Sequence, residues 1–147
     1  KERDRYRIRF DLDSKSISNF EIGFRSDLTY EAAFKETGFS IKTDLKYFID
    51  DILKFGGVYT LFQADSYYSS IWHFEMPVVG YMTTLPLYGE GSRFMFFIDS
   101  EFTDGLDMRI ALTYYEKNNI DEMGSGLLTI SENKDVRIFF QLNWEVF

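Results

Sequence analysis

Apolar and polar residues alternate along most of this chain, beginning with its first segment. Residues 6–12 carry an apolar side chain at every second position, and the positions between them hold Arg7, Arg9 and Asp11. A period of two is expected of a β-strand with one dry face and one wet face. The opening segment is therefore predicted to be a strand that buries its apolar side.

A second alternating segment follows at residues 20–24, where Phe20, Ile22 and Phe24 share one face. We predict a hairpin between the two segments, with its loop at residues 13–17, because slipping the register by one residue would pair core with solvent faces. In that register the cross-strand pairs are Phe10 with Phe20, Ile8 with Ile22, and Arg9 with Glu21.

The alternation continues through residues 28–34, which are predicted to form a third strand with Leu28, Tyr30, Ala32 and Phe34 on one side. A helix remains the competing interpretation of this segment. Residues 31–35 are good helix formers, so propensity and periodicity point in different directions here.

Residues 43–55 show a different spacing, which is typical of an amphipathic helix. Leu45, Phe48, Ile49 and Ile52 stand at i, i+3, i+4 and i+7. Thr43 is the predicted N-cap, and the two glycines at 56 and 57 supply a stop. We expect this helix to bury its apolar stripe against a sheet.

Everything after residue 57 alternates like strands separated by turns every 8–12 residues or so. The sequence therefore predicts an α+β fold in one domain over residues 1–147. Its architecture is a curved antiparallel β-sheet or sandwich of about 8–10 strands, with one main amphipathic helix at about residues 43–55.

One hairpin can be assigned a register from the sequence. A three-residue loop at residues 103–105, with Gly105 in a left-handed conformation, keeps both apolar faces aligned. The predicted pairs are Phe102 with Leu106, Asp99 with Arg109, Ile98 with Ile110, and Phe96 with Leu112.

Composition adds limits on class and location. Aromatic residues make up 19% of the chain, which suits half-buried pleated surfaces, and cysteine is absent. No run of eighteen apolar residues exists, so no membrane-spanning segment is predicted. The chain does not begin with Met, so we expect that a targeting or anchoring segment can precede it, and its location stays open.

The net charge of −8 is unevenly distributed. Residues 1–25 hold seven basic and five acidic residues, so the remaining 122 residues carry −10. An acidic field repels phosphate backbones and attracts basic surfaces. A basic protein partner is therefore expected, and nucleic acid is not.

Candidate chemistry is sparse. His73 is the single histidine, and it lies among alternating aromatic residues without a nucleophile motif around any nearby serine. We interpret it as a strand residue with a satisfied ring nitrogen. The sequence predicts no catalytic residue, no cofactor and no metal site built on histidine or cysteine.

Acidic residues gather at the tip of the hairpin described above, at Asp99, Glu101, Asp104 and Asp107. Glu101 opposes Asp107 in the predicted register, and like charges across a strand pair cost stability unless something compensates. A calcium ion, a paired-carboxylate acid/base site, a basic protein surface and a solvated acidic turn all stay open.

The stretch "YEAAFKETGFSIKTDLKYFIDDILKF" resembles a segment of the small immunity proteins that accompany wall-associated and contact-dependent bacterial toxins. Those proteins combine an aromatic strand, a turn, a Thr-led amphipathic helix and an antiparallel β half. The residues at matching kinds of position are Tyr30, Phe34, Thr43, Leu45, Phe48 and Leu53.

The resemblance implies a non-enzymatic inhibitor, cytoplasmic if it is an immunity protein, that neutralises a toxin domain by direct binding. Such a protein needs an acidic surface against a basic cleft. The predicted contacts are the hairpin acids Asp99, Glu101, Asp104 and Asp107, with Asp50 and Asp51 on the helix.

The sequence is compatible with two other functions. The first is an extracellular or phage-borne β-rich binding module that recognises carbohydrate or a host protein through exposed aromatic residues such as Trp72 and Tyr68. The second is an enzyme that works through the carboxylates near Asp99, which is the least favoured because no residue of a second type converges on them in the sequence.

Overall fold

The computed structural model describes residues 4–17, 19–50, 52–103, 105–118, 120–124 and 129–145. These residues form β-strands joined by short turns, with a single turn of 3₁₀ helix at Tyr67–Ser69. The strands are β1 (Arg5–Ile17), β2 (Phe20–Glu31), β3 (Glu36–Phe48), β4 (Leu53–Ala64), β5 (Ile71–Val78), β6 (Tyr81–Leu87), β7 (Gly89–Thr103), β8 (Leu106–Lys117) and β9 (Lys134–Trp144).

Seven of these strands form one antiparallel sheet in the order β1-β2-β3-β4-β7-β8-β9. Strands β5 and β6 pair only with each other among the described residues, and their hairpin is inserted between β4 and β7. The large sheet is thus a meander of hairpins, interrupted once by a segment that leaves its plane.

Cross-strand partners share a face of a sheet, so the register separates two faces of opposite character. The apolar face contains the row Leu12, Phe24, Thr43, Tyr59, Phe94, Tyr114 and Val136. The neighbouring row belongs to the polar face and contains Asp11, Arg25, Lys42, Thr60, Arg93, Tyr115 and Asp135.

The β5–β6 hairpin lies across the polar face. At its start, the carbonyl of Ser70 accepts a hydrogen bond from Arg5 on β1. At its far end, the backbone of Val79 exchanges two hydrogen bonds with the Gln141 side chain on β9. The hairpin therefore crosses the sheet from one edge strand to the other and covers the polar face.

The buried apolar residues lie under this hairpin, on the polar face. One cluster contains Val58, Met95, Phe97 and Ala111, with Phe139 packed against it. A second contains Phe62, Leu87, Tyr115 and Met123, with Leu85 and Ile120 beside it. Both clusters are small, so much of the buried interior consists of polar and charged side chains.

The apolar face, in contrast, is exposed. Twenty-one of its large side chains are exposed: Tyr6, Ile8, Phe10, Leu12, Phe20, Ile22, Leu28, Tyr30, Phe39, Leu45, Tyr47, Tyr59, Leu61, Phe94, Phe96, Ile110, Val136, Ile138, Phe140, Leu142 and Trp144. Ile8, predicted to be buried, is 68% exposed. The alternation was read correctly, but the prediction of which side is buried was wrong.

The predicted α+β class and the helix at residues 43–55 are wrong. Residues 43–48 belong to β3, residues 53–55 belong to β4, and the segment pairs on both sides, with β2 and with β7. Leu45 and Ile52 are exposed instead of covering a sheet. The backbone ladders with two neighbouring strands outweigh a helical spacing that only four side chains supported.

The first hairpin is longer than predicted. Strand β1 continues through the expected loop, so Ile8 pairs with Leu28 and Arg9 pairs with Asp27, not with Ile22 and Glu21. Phe10 accordingly opposes Ser26. The third predicted strand is also divided: Leu28 and Tyr30 end β2, and the turn before β3 contains Ala32 and Phe34.

The antiparallel sheet and most of the β7–β8 register are confirmed. The sheet is antiparallel throughout. The β7–β8 register matches for Asp99 with Arg109 and for Glu101 with Asp107. The tip differs by one residue, because an irregularity after Glu101 pairs Thr103 with Leu106. No helix in the described part of the chain is long and apolar enough to cross a membrane.

Gly56 and Gly57 give a test of this fold, because they lie inside β4 instead of ending a helix. A Cβ added at Gly56 would stand 2.1 Å from Cζ of Phe97, whose ring is buried in the first cluster. At Gly57 the nearest atom would be a carbonyl oxygen 3.9 Å away, an ordinary contact.

We expect Gly56→Ala to lower the unfolding free energy by about 1–3 kcal/mol through overpacking. Gly57→Ala should change it by less than about 0.5 kcal/mol. Urea unfolding of the two variants measures both values. Equal effects of the two substitutions would contradict the placement of Gly56 beneath Phe97.

Candidate functional site

A cleft of about 720 Å³ opens at one end of the sheet, where the β3–β4 turn lies beside the β7–β8 hairpin. Its lining is Asn19, Glu21, Phe48, Ile49, Asp50, Ile52, Lys54, Val79, Asp99, Ser100, Glu101, Asp107, Met108, Arg109 and Asn143. This volume lies within the range of small-molecule and side-chain pockets. We refer to it as the acidic cleft.

The acidic cleft brings together four of the six acidic residues predicted to bind a partner. Asp99, Glu101 and Asp107 come from the β7–β8 hairpin, and Asp50 comes from the turn between β3 and β4. The two segments are joined by a hydrogen bond from the Glu101 amide to the Ile52 carbonyl, at 2.8 Å. Asp51 and Asp104 lie outside the described residues.

Asp50 has a local structural role as well. Its Oδ1 accepts hydrogen bonds from the backbone amides of Ile52 and Leu53, at 2.9 and 2.8 Å. A carboxylate that accepts amides of a following turn fixes the turn, in the same way as a helix cap. The prediction that Asp50 projects from the outer face of a helix is therefore wrong, although it does reach the candidate site.

Charge in the cleft is only partly balanced. Asp99 contacts Lys54 at 2.8 Å and Arg109 at 3.2 Å, which links β4, β7 and β8. The lining holds five acidic and two basic side chains, and Glu21 of the lining is paired with Lys46 at 3.2 Å, which leaves an excess of two negative charges. Glu101 and Asp107 are exposed and directly opposite each other, and neither takes part in an ion pair within the described residues.

The cleft offers little for covalent chemistry. Lys54 and Arg109 are both held by Asp99, and no hydroxyl of the lining is placed beside a histidine. In the described part of the chain, no three His, Cys, Asp or Glu side chains are grouped so that they could hold a metal ion. The arrangement is suited to receiving a cationic group.

His73 lies elsewhere, on the side of β5 that faces the large sheet, in a buried cluster. Its Nε2 is 3.3 Å from Ser40 Oγ and 3.3 Å from Asp27 Oδ2, and Arg9 Nε donates to Asp27 Oδ1 at 2.8 Å. Serine and aspartate thus contact the same ring nitrogen, whereas a catalytic triad uses both nitrogens. His73 is 2% exposed, so a substrate has no access to it.

A second buried charge pair was missed by sequence reasoning. Arg93 donates through Nε and a terminal nitrogen to the two carboxylate oxygens of Glu75, at 2.6 and 2.5 Å. Both residues are buried, and they join β7 to β5. The alternation places each of the two residues on the polar face of its strand. No local feature of the sequence indicates that these two faces contact each other.

Lys117 on β8 is also buried by the hairpin. Its Nζ lies 3.2 Å from the centre of the Tyr88 ring, and burial lowers the pKa of Lys117 to about 8. A cation over an aromatic face gains part of the stabilisation that it loses with water. Lys117 thus ties the chain just after β6 to the end of β8.

The aromatic residues considered for ligand stacking are packed against other rings. The ring of Tyr67 meets that of Trp72 edge-on at 6.1 Å and that of Tyr88 at 5.7 Å. Phe34 stacks on Tyr68 at 4.7 Å. These contacts hold the segment around the 3₁₀ turn together and occupy ring surfaces that a sugar would need.

The chain matches no known protein family, and no curated protein or solved structure is significantly similar to it. The resemblance to toxin immunity proteins stays a prediction. The helical part of the pattern that carried it is a pair of β-strands in this protein.

Burial of His73 makes the stability of the folded protein fall as the pH is lowered. Burial lowers the pKa of His73, and the carboxylate of Asp27 offsets only part of that effect. The unfolded chain, with a histidine pKa of about 6.5, therefore takes up a proton more readily than the folded protein. The stabilisation that comes from keeping His73 neutral is complete above about pH 6.5. It is lost as the pH falls toward the lower pKa that His73 has in the folded protein.

We expect His73→Gln, which removes the single histidine of the chain, to flatten this part of the dependence. Unfolding free energies of both proteins, measured in urea between about pH 7.5 and 5.5, give the comparison. Parallel curves for the two proteins over that interval would show that His73 is not a buried neutral residue.

Proposed function

We propose that this chain is a non-enzymatic binding protein whose acidic cleft receives a cationic group from a basic protein partner. The observation that carries the proposal is the excess of two negative charges around one cleft of about 720 Å³, counted with Lys46 as the partner of Glu21. Those charges come from separate segments of the chain, which the fold holds in a fixed arrangement.

The geometry favours a Lys or Arg side chain as the group received. Asp99 is already paired with Lys54 and Arg109, so it contributes little net attraction. Glu101 and Asp107 oppose each other across two strands, where like charges are destabilising. A cation placed between them would relieve that repulsion and form charge-assisted hydrogen bonds with both carboxylates.

Inhibition of a bacterial toxin is the narrower form of this proposal. It is supported by the acidic net charge, which speeds association with a basic surface. The role of the fold in this function is to hold the cleft rigid, because an inhibitor requires a complementary surface and no catalytic group.

The test removes the two unpaired acids together. We expect the double variant Glu101→Gln, Asp107→Asn to bind a hexa-arginine peptide at least about tenfold more weakly than the unmodified chain, a change of about 1.4 kcal/mol. Its affinity should also depend less steeply on salt, because fewer charges take part. Titration calorimetry at several salt concentrations measures both quantities.

A matched control keeps the same net charge. The variant Asp121→Asn, Glu122→Gln loses two exposed acids that lie outside the cleft. It should bind the peptide like the unmodified chain. Equal weakening of the two variants would mean that the peptide responds to net charge alone, and the assignment of the cleft would be withdrawn.

A further inference from the structure

The exposed apolar face is the largest feature of the molecule that the acidic cleft does not explain. Its 21 exposed large side chains are each open to solvent by 37–75%. Because such a side chain has roughly 150–250 Å² of surface, the face offers on the order of 2,000 Å². The largest apolar patch of an ordinary soluble monomer is about 300–600 Å².

This face is also nearly free of charge, and most of its hydrogen-bonding groups are tyrosine hydroxyls and a tryptophan at its margins. Within the apolar runs of β2, β3 and β4, only Ser26, Thr43 and Gly57 interrupt the apolar side chains. The charged side chains that the described strands place on this face are Glu90, Glu116 and Lys134, and all three lie beyond one margin. The apolar residues therefore form a band that crosses all seven strands, with three small residues inside it on β2, β3 and β4.

The height of the band is nine residues on four of the seven strands, seven on β1 (residues 6–12) and eleven on β2 (residues 20–30). The apolar runs cover residues 39–47 on β3, 53–61 on β4, 106–114 on β8 and 136–144 on β9, nine residues in each case. A strand that crosses the hydrocarbon of a bilayer needs about 9–11 residues and inclines by about 45° to the bilayer normal. The length of the runs fits that layer.

The inclination fits as well. The row of cross-strand partners that begins at Arg9, the midpoint of the β1 run, ends at Asn133 beside Lys117. The midpoint of the β9 run is Phe140, seven residues further along. Seven residues correspond to a displacement of roughly 24 Å along the strands. The six spacings between the seven strands add up to roughly 29 Å, so the band is inclined by roughly 40° to the rows of cross-strand partners.

The margins of the band carry the side chains that prefer a boundary between water and hydrocarbon. Tyr6, Tyr30 and Tyr114 lie along one margin, and Tyr47 and Trp144 lie along the other. Tyrosine and tryptophan are enriched at both surfaces of bilayers because they present an apolar ring and a polar group together.

We propose that the apolar face lies against the acyl chains of a lipid bilayer, with its two margins at the bilayer surfaces. Lipid hydrocarbon covers a large apolar surface without requiring polar partners. A protein interface of this area would carry about ten hydrogen bonds, whereas the backbone of this face is engaged in strand pairing and its side-chain donors lie mostly at the two margins. A second copy of the chain is therefore the less suitable occupant.

The interior is arranged as this environment requires. Within the height of the band the charges of the sheet are turned away from the apolar face, and those of Arg93, Glu75 and Asp27 are buried between the sheet and the hairpin in ion pairs. A charged side chain in hydrocarbon is costly, so placing the charges on the inner side and the apolar residues outside is the stable arrangement in lipid.

The two tryptophans of the chain provide a test, because they lie in different places. Trp144 is on the apolar face and is 75% exposed, whereas Trp72 belongs to the hairpin and packs against Tyr67. The variant Trp72→Phe leaves only Trp144 as a reporter, and Trp144→Phe leaves only Trp72. The probes are phosphatidylcholine vesicles with plain acyl chains or with acyl chains brominated near their headgroup end.

Each variant is refolded in the presence of both kinds of vesicle. We expect brominated chains to reduce the fluorescence of Trp144 by about twofold, because bromine quenches on contact and Trp144 lies at the hydrocarbon margin. The fluorescence of Trp72 should change by less than about one tenth of its value. Equal fluorescence of Trp144 in the two kinds of vesicle would overturn the proposal.

A charge placed in the band gives a second, independent measurement. Ile138→Lys puts a cation inside the band, at the position next to its midpoint Phe140 on the same face, on a side chain that is 75% exposed and so contributes little to the packing. Asn143→Lys adds the same charge to the opposite face of the same strand, within the acidic cleft. Flotation with phosphatidylcholine vesicles measures how much of each variant binds.

Vesicle binding by Ile138→Lys should fall at least about tenfold relative to Asn143→Lys. If the face instead paired with a second copy, the unmodified chain would form dimers in the absence of lipid, and both variants would bind vesicles equally weakly. That result contradicts the proposal and leaves the proposed binding of basic peptides in the acidic cleft unaffected.

Discussion

The buried ion pair between Arg93 and Glu75 decides which side of the sheet is internal. Two charges removed from water are tolerated only when they are paired and hydrogen-bonded, and this pair satisfies both conditions with two short contacts. It holds the β5–β6 hairpin on the polar face together with the Asp27 and His73 contacts. Once the hairpin is held there, the opposite face of the sheet has no element of the described chain to cover it.

The two proposed sites are related by this arrangement. The acidic cleft lies at the end of the strands where the apolar band finishes with Tyr47 and Trp144. A band seated in hydrocarbon would therefore place the cleft at the surface of the bilayer, open to water and to a basic partner. The same strands would supply both functions, one on their apolar face and one at their ends.

The sequence predicted the positions of the strands more reliably than it predicted what lies against each face of the strands. A period of two predicted β1, β2 and the β7–β8 pairing, but alternation is the same whether the apolar side faces a core or lipid. Residues 43–55 carried both periods, since Leu45 and Tyr47 fit a strand while Leu45, Phe48 and Ile52 fit a helix. Pairing with β2 and β7, which is invisible locally, decided between them.

Part of the candidate site could be predicted from the sequence, because local structure brings some of its residues together. Asp99, Glu101 and Asp107 share a hairpin whose register follows from local turn chemistry, so their proximity was predictable. The approach of Asp50 depends on the β3–β4 turn, which the helical interpretation had removed. Glu75 and Arg93 belong to different sheets, and their contact follows only from the path of the hairpin.

A double-mutant cycle on Glu75 and Arg93 tests the central claim most directly. The variants Glu75→Gln and Arg93→Met should each lower the unfolding free energy by about 3–5 kcal/mol, because each leaves a buried charge without its partner. The double variant should lose much less than the sum, with a coupling energy of at least about 2 kcal/mol, measured by urea unfolding. Additive losses would mean that the pair does not hold the hairpin on the polar face, and would contradict this account.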